Sequence, residues 1–341
     1  MKLLFYRLIL STNSSSFTLF LNFLRTLCVF YIPMLLSNCS SNALEPIVID
    51  NQETTLDTDV DGILNELDSC NSTPLGALVD NMGCRIINEY NPNYFLVWQD
   101  EFLEEGNVDG TKWHHQIIAP NNGSWFNGEK QHYTDRVTNS YVSDGVLIIK
   151  AIKESYEFDG SIQNYTSARL NSKFSFRYGR VDVRAKLPGS AGTWPAIWTL
   201  GTNINEIGNY FGSTTGDVGW PRCGEIDIME QNGWDKTELL GHFHWGHTST
   251  GEYASYGKTT FIENAIDDFH VYSLEWTEGQ LRVLLDNRVF LAMNNTASMP
   301  YDNSHFILLN IAMGGNLGGD IQSDFSSDSM QIDYVRIYEK E

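Results

Sequence analysis

From residue 94 onward, apolar side chains fall into short runs and two-residue alternations. Residues 94–98, 145–150, 178–185, 281–286, 306–312 and 331–338 are rich in Val, Ile, Leu, Phe and Tyr. Such runs fit half-buried or buried strands. Turn pairs fall between them, at Asn127-Gly128, Asp144-Gly145, Glu278-Gly279 and Asp286-Asn287. No long helical period appears. About 250 residues of this texture predict an all-β fold, a sandwich or jelly roll of two antiparallel sheets, with the last strand at the chain's end.

One strand departs from the rest. Residues 224–230 read Gly-Glu-Ile-Asp-Ile-Met-Glu. Period two sends Glu225, Asp227 and position 229 to one face. Position 229 is Met, and the third acid comes one residue late, at Glu230. A single β-bulge absorbs the extra residue and returns Glu230 to the acidic face. Carboxylates this close cannot all ionise freely, so at least one pKa rises. A protonated acid beside an ionised one is the requirement of glycoside hydrolysis. A hard-cation site is the alternative. A solvated edge strand is a third reading, with which the intervening Ile and Met fit poorly.

Charge narrows the partners. Lys and Arg number 22 against 43 Asp and Glu, a formal net charge of -21. That argues against nucleic acid and suits a neutral substrate. Nine Trp and sixteen Tyr supply rings for stacking, although a sandwich core uses many of them.

The N-terminal third is organised differently. Lys2, Arg7 and Arg25 precede an apolar run at 26–36, shorter than the ~20 residues of a spanning helix. Residues 1–38 therefore read as an export signal. The stretch 36–41 resembles a bacterial lipoprotein box with Cys39 as the lipidated residue, though Asn38 stands where a small residue is usual. This predicts an exported protein with a lipid anchor in the membrane, at the cell surface or outer membrane; ordinary cleavage would leave it secreted. Residues 39–91 begin as a polar linker. Asp57, Asp59 and Asp61 then alternate ahead of Gly62, with Asp68 where an EF-hand would place Glu. Alternating Asp with a turn Gly is how a loop wraps calcium. Together with Cys70 and Cys84, the segment resembles a single thrombospondin type 3 repeat. That resemblance implies Ca2+ on Asp57, Asp59 and Asp61 and a Cys70–Cys84 disulfide, which export permits. The expected role is a calcium-stiffened stalk; a disordered acidic tether is the alternative. Cys223 is left over, expected free and buried.

Three further motifs accompany the acidic strand: 165–170 (YTSARL) ahead of 176–180 (FRYGR), 192–198 (GTWPAIW) and 310–316 (NIAMGGN). In this order, across residues 92–341, they resemble family 16 glycoside hydrolases of the laminarinase type. The resemblance implies a β-jelly roll with a concave substrate cleft and a retaining mechanism needing no cofactor. It implies Glu225 as nucleophile, Glu230 as acid/base and Asp227 as the residue between them. It places Trp194 and Trp198 as stacking rings, Arg169 as a substrate contact and His244 beside the acid/base. His242 shares the face of His244, with no third metal ligand evident. Asn127 and Glu129 would line the glycone subsites, with Trp125 as a further stacking surface. Glu101, the Gly145 carbonyl and Asp333 would hold a structural Ca2+ on the convex face. The implied substrate is a β-1,3-glucan and the implied state a monomer. Mixed-linkage glucan, a red-algal galactan, or glucan binding without catalysis are the rival readings. Two features depart from the pattern: Leu317 stands where Trp is common, and the loop 203–222 is long.

Overall fold

Alternation in sequence becomes alternation in burial. On the strand Val146–Phe158, Leu147, Ile149 and Ala151 are fully buried while Val146, Ile148 and Lys150 are not. Val181, Val183 and Ala185 repeat the pattern on Gly179–Lys186. Each strand thus has one face to bury, and two sheets packed face to face bury both.

The structure is a computed structural model and describes residues 56–73, 79–85, 93–121 and 123–341. The leader and Cys39 lie outside the described residues. In chain order the strands are β1 (Tyr94–Asp100), β2 (Trp113–His115), β3 (Gln131–Tyr133), β4 (Ser140–Ser143), β5 (Val146–Phe158) and β6 (Ser161–Ser167). Next come β7 (Arg169–Phe176), β8 (Gly179–Lys186), β9 (Thr193–Gly201), β10 (Glu225–Gln231), β11 (Glu238–Gly246) and β12 (Tyr253–Phe261). The last are β13 (His270–Trp276), β14 (Gln280–Leu285), β15 (Arg288–Asn294), β16 (His305–Met313), a single helical turn α1 (Gly315–Gly318) and β17 (Ser327–Lys340).

One sheet runs β12-β11-β10-β9-β16-β7-β2. The other runs β15-β14-β13-β8-β17-β5-β6-β3, with β1 on β17 and β4 on β5. Among the described strands, all pairings are antiparallel except β3 with β6. Between the sheets lies one main core. Val183, Trp276 and Ile337 from one side meet Ile226, Phe243 and Leu309 from the other.

Two expectations change here. The first concerns the acidic segment. Its disulfide, Cys70–Cys84, is formed, but the segment is not a stalk. Residues 55–341 form one compact unit. The Lys258 ammonium donates to the Val79 carbonyl (3.2 Å), and the Asn81 side-chain oxygen accepts from the Asn294 N–H (2.9 Å). Polar groups on the sandwich edge find partners there, which a free stalk would leave to water.

The second concerns the convex face. β17 pairs with β5 up to Ile332 and with β1 from Val335, so Asp333 lies at the changeover, near Gly145 and Glu101. Both carboxylates already have partners. Arg336 donates to each oxygen of Glu101 (2.8 Å and 2.8 Å), holding that carboxyl below its usual range, and Arg184 donates to Asp333 (2.6 Å). An ion there would have to share both carboxylates with these guanidinium groups, which the sequence pattern alone does not show.

Candidate active site

The acidic strand folds as its spacing requires. Ile226 and Ile228 are fully buried and Met229 nearly so, and all three anchor β10 in the core. The ladder to β11 slips between Asp227 and Glu230, and the ladder to β9 between Asp227 and Met229. This is the bulge, and it brings Glu230 onto the face of Glu225 and Asp227. All three acids line one cleft of about 260 Å³ with Phe126, Asn127, Glu129, Arg169, Trp194, Trp198, Glu206, Trp220 and Asn310.

Trp194 and Trp198 share a face of β9, as four-residue spacing dictates. The Trp194 indole donates to Glu230 Oε1 (2.9 Å) and the Trp198 indole to Asn310 Oδ1 (2.7 Å). A polar chain continues from there. Asn310 donates to the Tyr133 hydroxyl (3.0 Å), which donates to Glu129 (3.0 Å), and Gln131 donates to the same carboxylate (2.6 Å). Burial raises the Glu129 pKa above the usual carboxylate range.

Arg169 is buried and makes an ion pair with Glu206 (2.9 Å). Its guanidinium lies over Trp198 (4.8 Å) and over Trp125 (5.2 Å), a cation–π arrangement on both sides. Trp125 is only 2% exposed. It packs edge-on against Tyr133 and supports Arg169 from behind, so it offers no ring face to a sugar. The expectation of a stacking surface there is corrected.

His244 is also placed differently. It stands opposite Glu225 on the β10–β11 ladder, whereas Glu230 stands opposite Leu240. Its Nε2 lies 3.4 Å from Asp227 and 4.0 Å from Glu225. The cleft histidine therefore serves the Glu225 end, because the ladder register fixes it there. His242 stacks on it at 4.1 Å, and the Tyr253 hydroxyl meets its Nδ1 at 2.9 Å. Burial, followed by His242, pulls the His244 pKa down to about 4, so the ring is neutral near pH 7. At Gly257, opposite His242, a Cβ would come within 2.6 Å of the ring, so only glycine allows the stacked pair.

Burial raises the pKa of Glu225, Asp227 and Glu230 alike. Repulsion from Glu230 adds to the effect on Glu225, while Arg169 and a Trp220 hydrogen bond oppose it. Asp227 is raised further by both glutamates. The three titrate as one set and hold protons in common near neutral pH.

No motif picks out Glu206 or Trp220 as cleft residues. Both come from the loop 203–222, whose length and position before β10 mark it as a cleft element without saying which side chain enters.

Carboxyl groups poised between protonated and ionised, in a cleft also lined by Trp194 and Trp198, are suited to cleaving glycosidic bonds, which makes the class that of a glycoside hydrolase. Residues 129–336 match the model of glycosyl hydrolases family 16. The chain is 34% identical over 275 residues to the beta-glucanase of Rhodothermus marinus, covering 75% of this chain and 91% of that one. It is 34% identical over 271 residues to glucan endo-1,3-beta-glucosidase A1 of Niallia circulans, covering 72% of this chain and 38% of that longer one. Among solved structures, a LamA variant from Z. galactanivorans in complex with laminaritriose and laminaritetraose is 59% identical, with a TM-score of 0.71, covering 72% of this chain and 98% of that one. The chain belongs to glycosyl hydrolases family 16.

Proposed function

We propose that the protein is a retaining endo-hydrolase of β-1,3-glucosidic bonds in laminarin-like glucans, with residues 92–341 as its catalytic domain. The observation that carries this is the bulged strand, which sets Glu225, Asp227 and Glu230 on one face beside Trp194 and Trp198. The names of the relatives and the ligands of the LamA complex support the choice of glucan.

In the first step Glu225 attacks the anomeric carbon as the bond to the leaving oxygen breaks, and Glu230 gives that oxygen its proton. A glycosyl ester on Glu225 results. In the second step Glu230 takes a proton from water, the water oxygen attacks the same carbon, and Glu225 leaves as carboxylate. Asp227, whose pKa is raised by burial and by both glutamates, stands between them on the same face and would supply a proton toward Glu225 that favours its charge. Trp194 orients Glu230 through the 2.9 Å bond. Arg169 fixes the ring of Trp198 and places positive charge at the Glu225 end.

The acidic segment fits a hard cation. One oxygen from each of Asp57, Asp59 and Asp61 lies within 4.8 Å of the others, and Asp59 Oδ1 and Asp61 Oδ2 are buried without a hydrogen-bond partner. Calcium there would neutralise their mutual repulsion. Export with a lipid anchor at Cys39 completes the reading, supported by the pattern of residues 1–41.

The test is product analysis of the purified protein on laminarin, mixed-linkage β-glucan, agarose and carrageenan. Oligosaccharides released chiefly from laminarin are expected. Release chiefly from a galactan would overturn the substrate, and binding without release would overturn the enzyme reading.

A further inference from the structure

β12 closes one end of the cleft sheet and β15 one end of the other, and the two edges face each other across the open side of the sandwich. An open edge exposes unpaired backbone groups. Here residues 79–82 of the acidic segment lie across it. Val79 and Asp80 are 2% and 5% exposed. On the β12 side, Lys258 reaches the Val79 carbonyl; on the β15 side, Asn81 caps the Asn294 N–H and Asp80 meets the Asn294 amide at 3.3 Å. Val79, Asp80 and Asn81 all lie inside the loop closed by Cys70–Cys84. β12 pairs along its length with β11, which carries His242 and His244, and its Tyr253 bonds His244.

We propose that the disulfide-closed loop is a clasp that holds the β12 and β15 edges together and so steadies the histidine side of the cleft. The inference rests on these contacts and is independent of the glucan and calcium readings.

The experiment is amide hydrogen exchange on the full chain, comparing the native protein with Asn81→Ala and with the double variant Cys70→Ser, Cys84→Ser. The clasp predicts that exchange in β12 and β15 speeds up about tenfold or more in the double variant and by less in Asn81→Ala, while β16 keeps its protection. Unchanged exchange in β12 and β15 would overturn it. Equal acceleration in every strand would also overturn it, since the effect would then be global. Calcium and EGTA form a separate arm. Faster β12 exchange in EGTA would support the clasp and give it cation control. No response to EGTA, with acceleration in the double variant, would support the clasp and remove the calcium reading.

Discussion

Asp57, Asp59 and Asp61 alternate along a loop, while Glu225, Asp227 and Glu230 alternate, with one bulge, along an interior strand of a seven-stranded sheet. The residue types and spacing are close; what lies behind them differs. The loop acids are partly exposed, and Asp57 accepts the N–H groups of Val60 (2.8 Å) and Gly62 (3.0 Å). The strand acids rest on Ile226, Ile228 and Met229, with the core beneath. Asp227 is buried and Glu225 and Glu230 are half-buried above that core, and the surrounding protein raises the pKa of all three. The apolar core beneath the strand, more than spacing, separates these acids from the loop trio for which a cation is proposed.

The largest effect should come from removing a reacting carboxyl group. Glu225→Gln and Glu230→Gln each keep the side-chain volume and should lower kcat on laminarin by about 10³-fold or more. Asp59→Asn should leave kcat within about twofold. Reducing-sugar release measures both, and comparable losses from the two clusters would end the contrast.

Next is Glu206→Gln. It leaves Arg169 buried without its ion pair, so KM for laminarin should rise roughly three- to tenfold. Glu206 also raises the Glu225 pKa. The acid limb of the kcat/KM profile should therefore move to lower pH, a change that loosened packing alone would not produce.

A third effect concerns stability. The Asp227 pKa is higher in the folded protein than in the unfolded chain. The folded state therefore binds more protons over that interval, and stability is lost as pH rises from the usual carboxylate range toward the raised value. Asp227→Asn removes that loss. Thermal unfolding should show the variant melting about 2–5 °C above the native protein near pH 8, with no gain near pH 4. A gain at both would point to packing instead.

Much of this is legible in the residues. Alternation implies the sandwich, and the one-residue delay before Glu230 implies the bulge, because both are local. The burial of Trp125 and the place of His244 depend on which strands become neighbours, which local spacing does not contain. The arginine partners of Glu101 and Asp333 come from β17 and β8, far away in the chain. The docking of the acidic segment is hidden for the same reason: Lys258 and Asn294 carry no mark in sequence of the loop that will cover them.

The smallest effect decides what the loop trio does. Burial, with Asp59, Asp68 and Asp57, raises the Asp61 pKa. Without a cation, Asp61→Asn relieves like-charge repulsion and should leave the melting temperature unchanged or slightly higher in EGTA. With calcium the same substitution removes a ligand and should lower it relative to the native protein. A reversal of sign between the two buffers is what a cation site requires. A solvated acidic face would give one sign in both, since salt would only screen the repulsion.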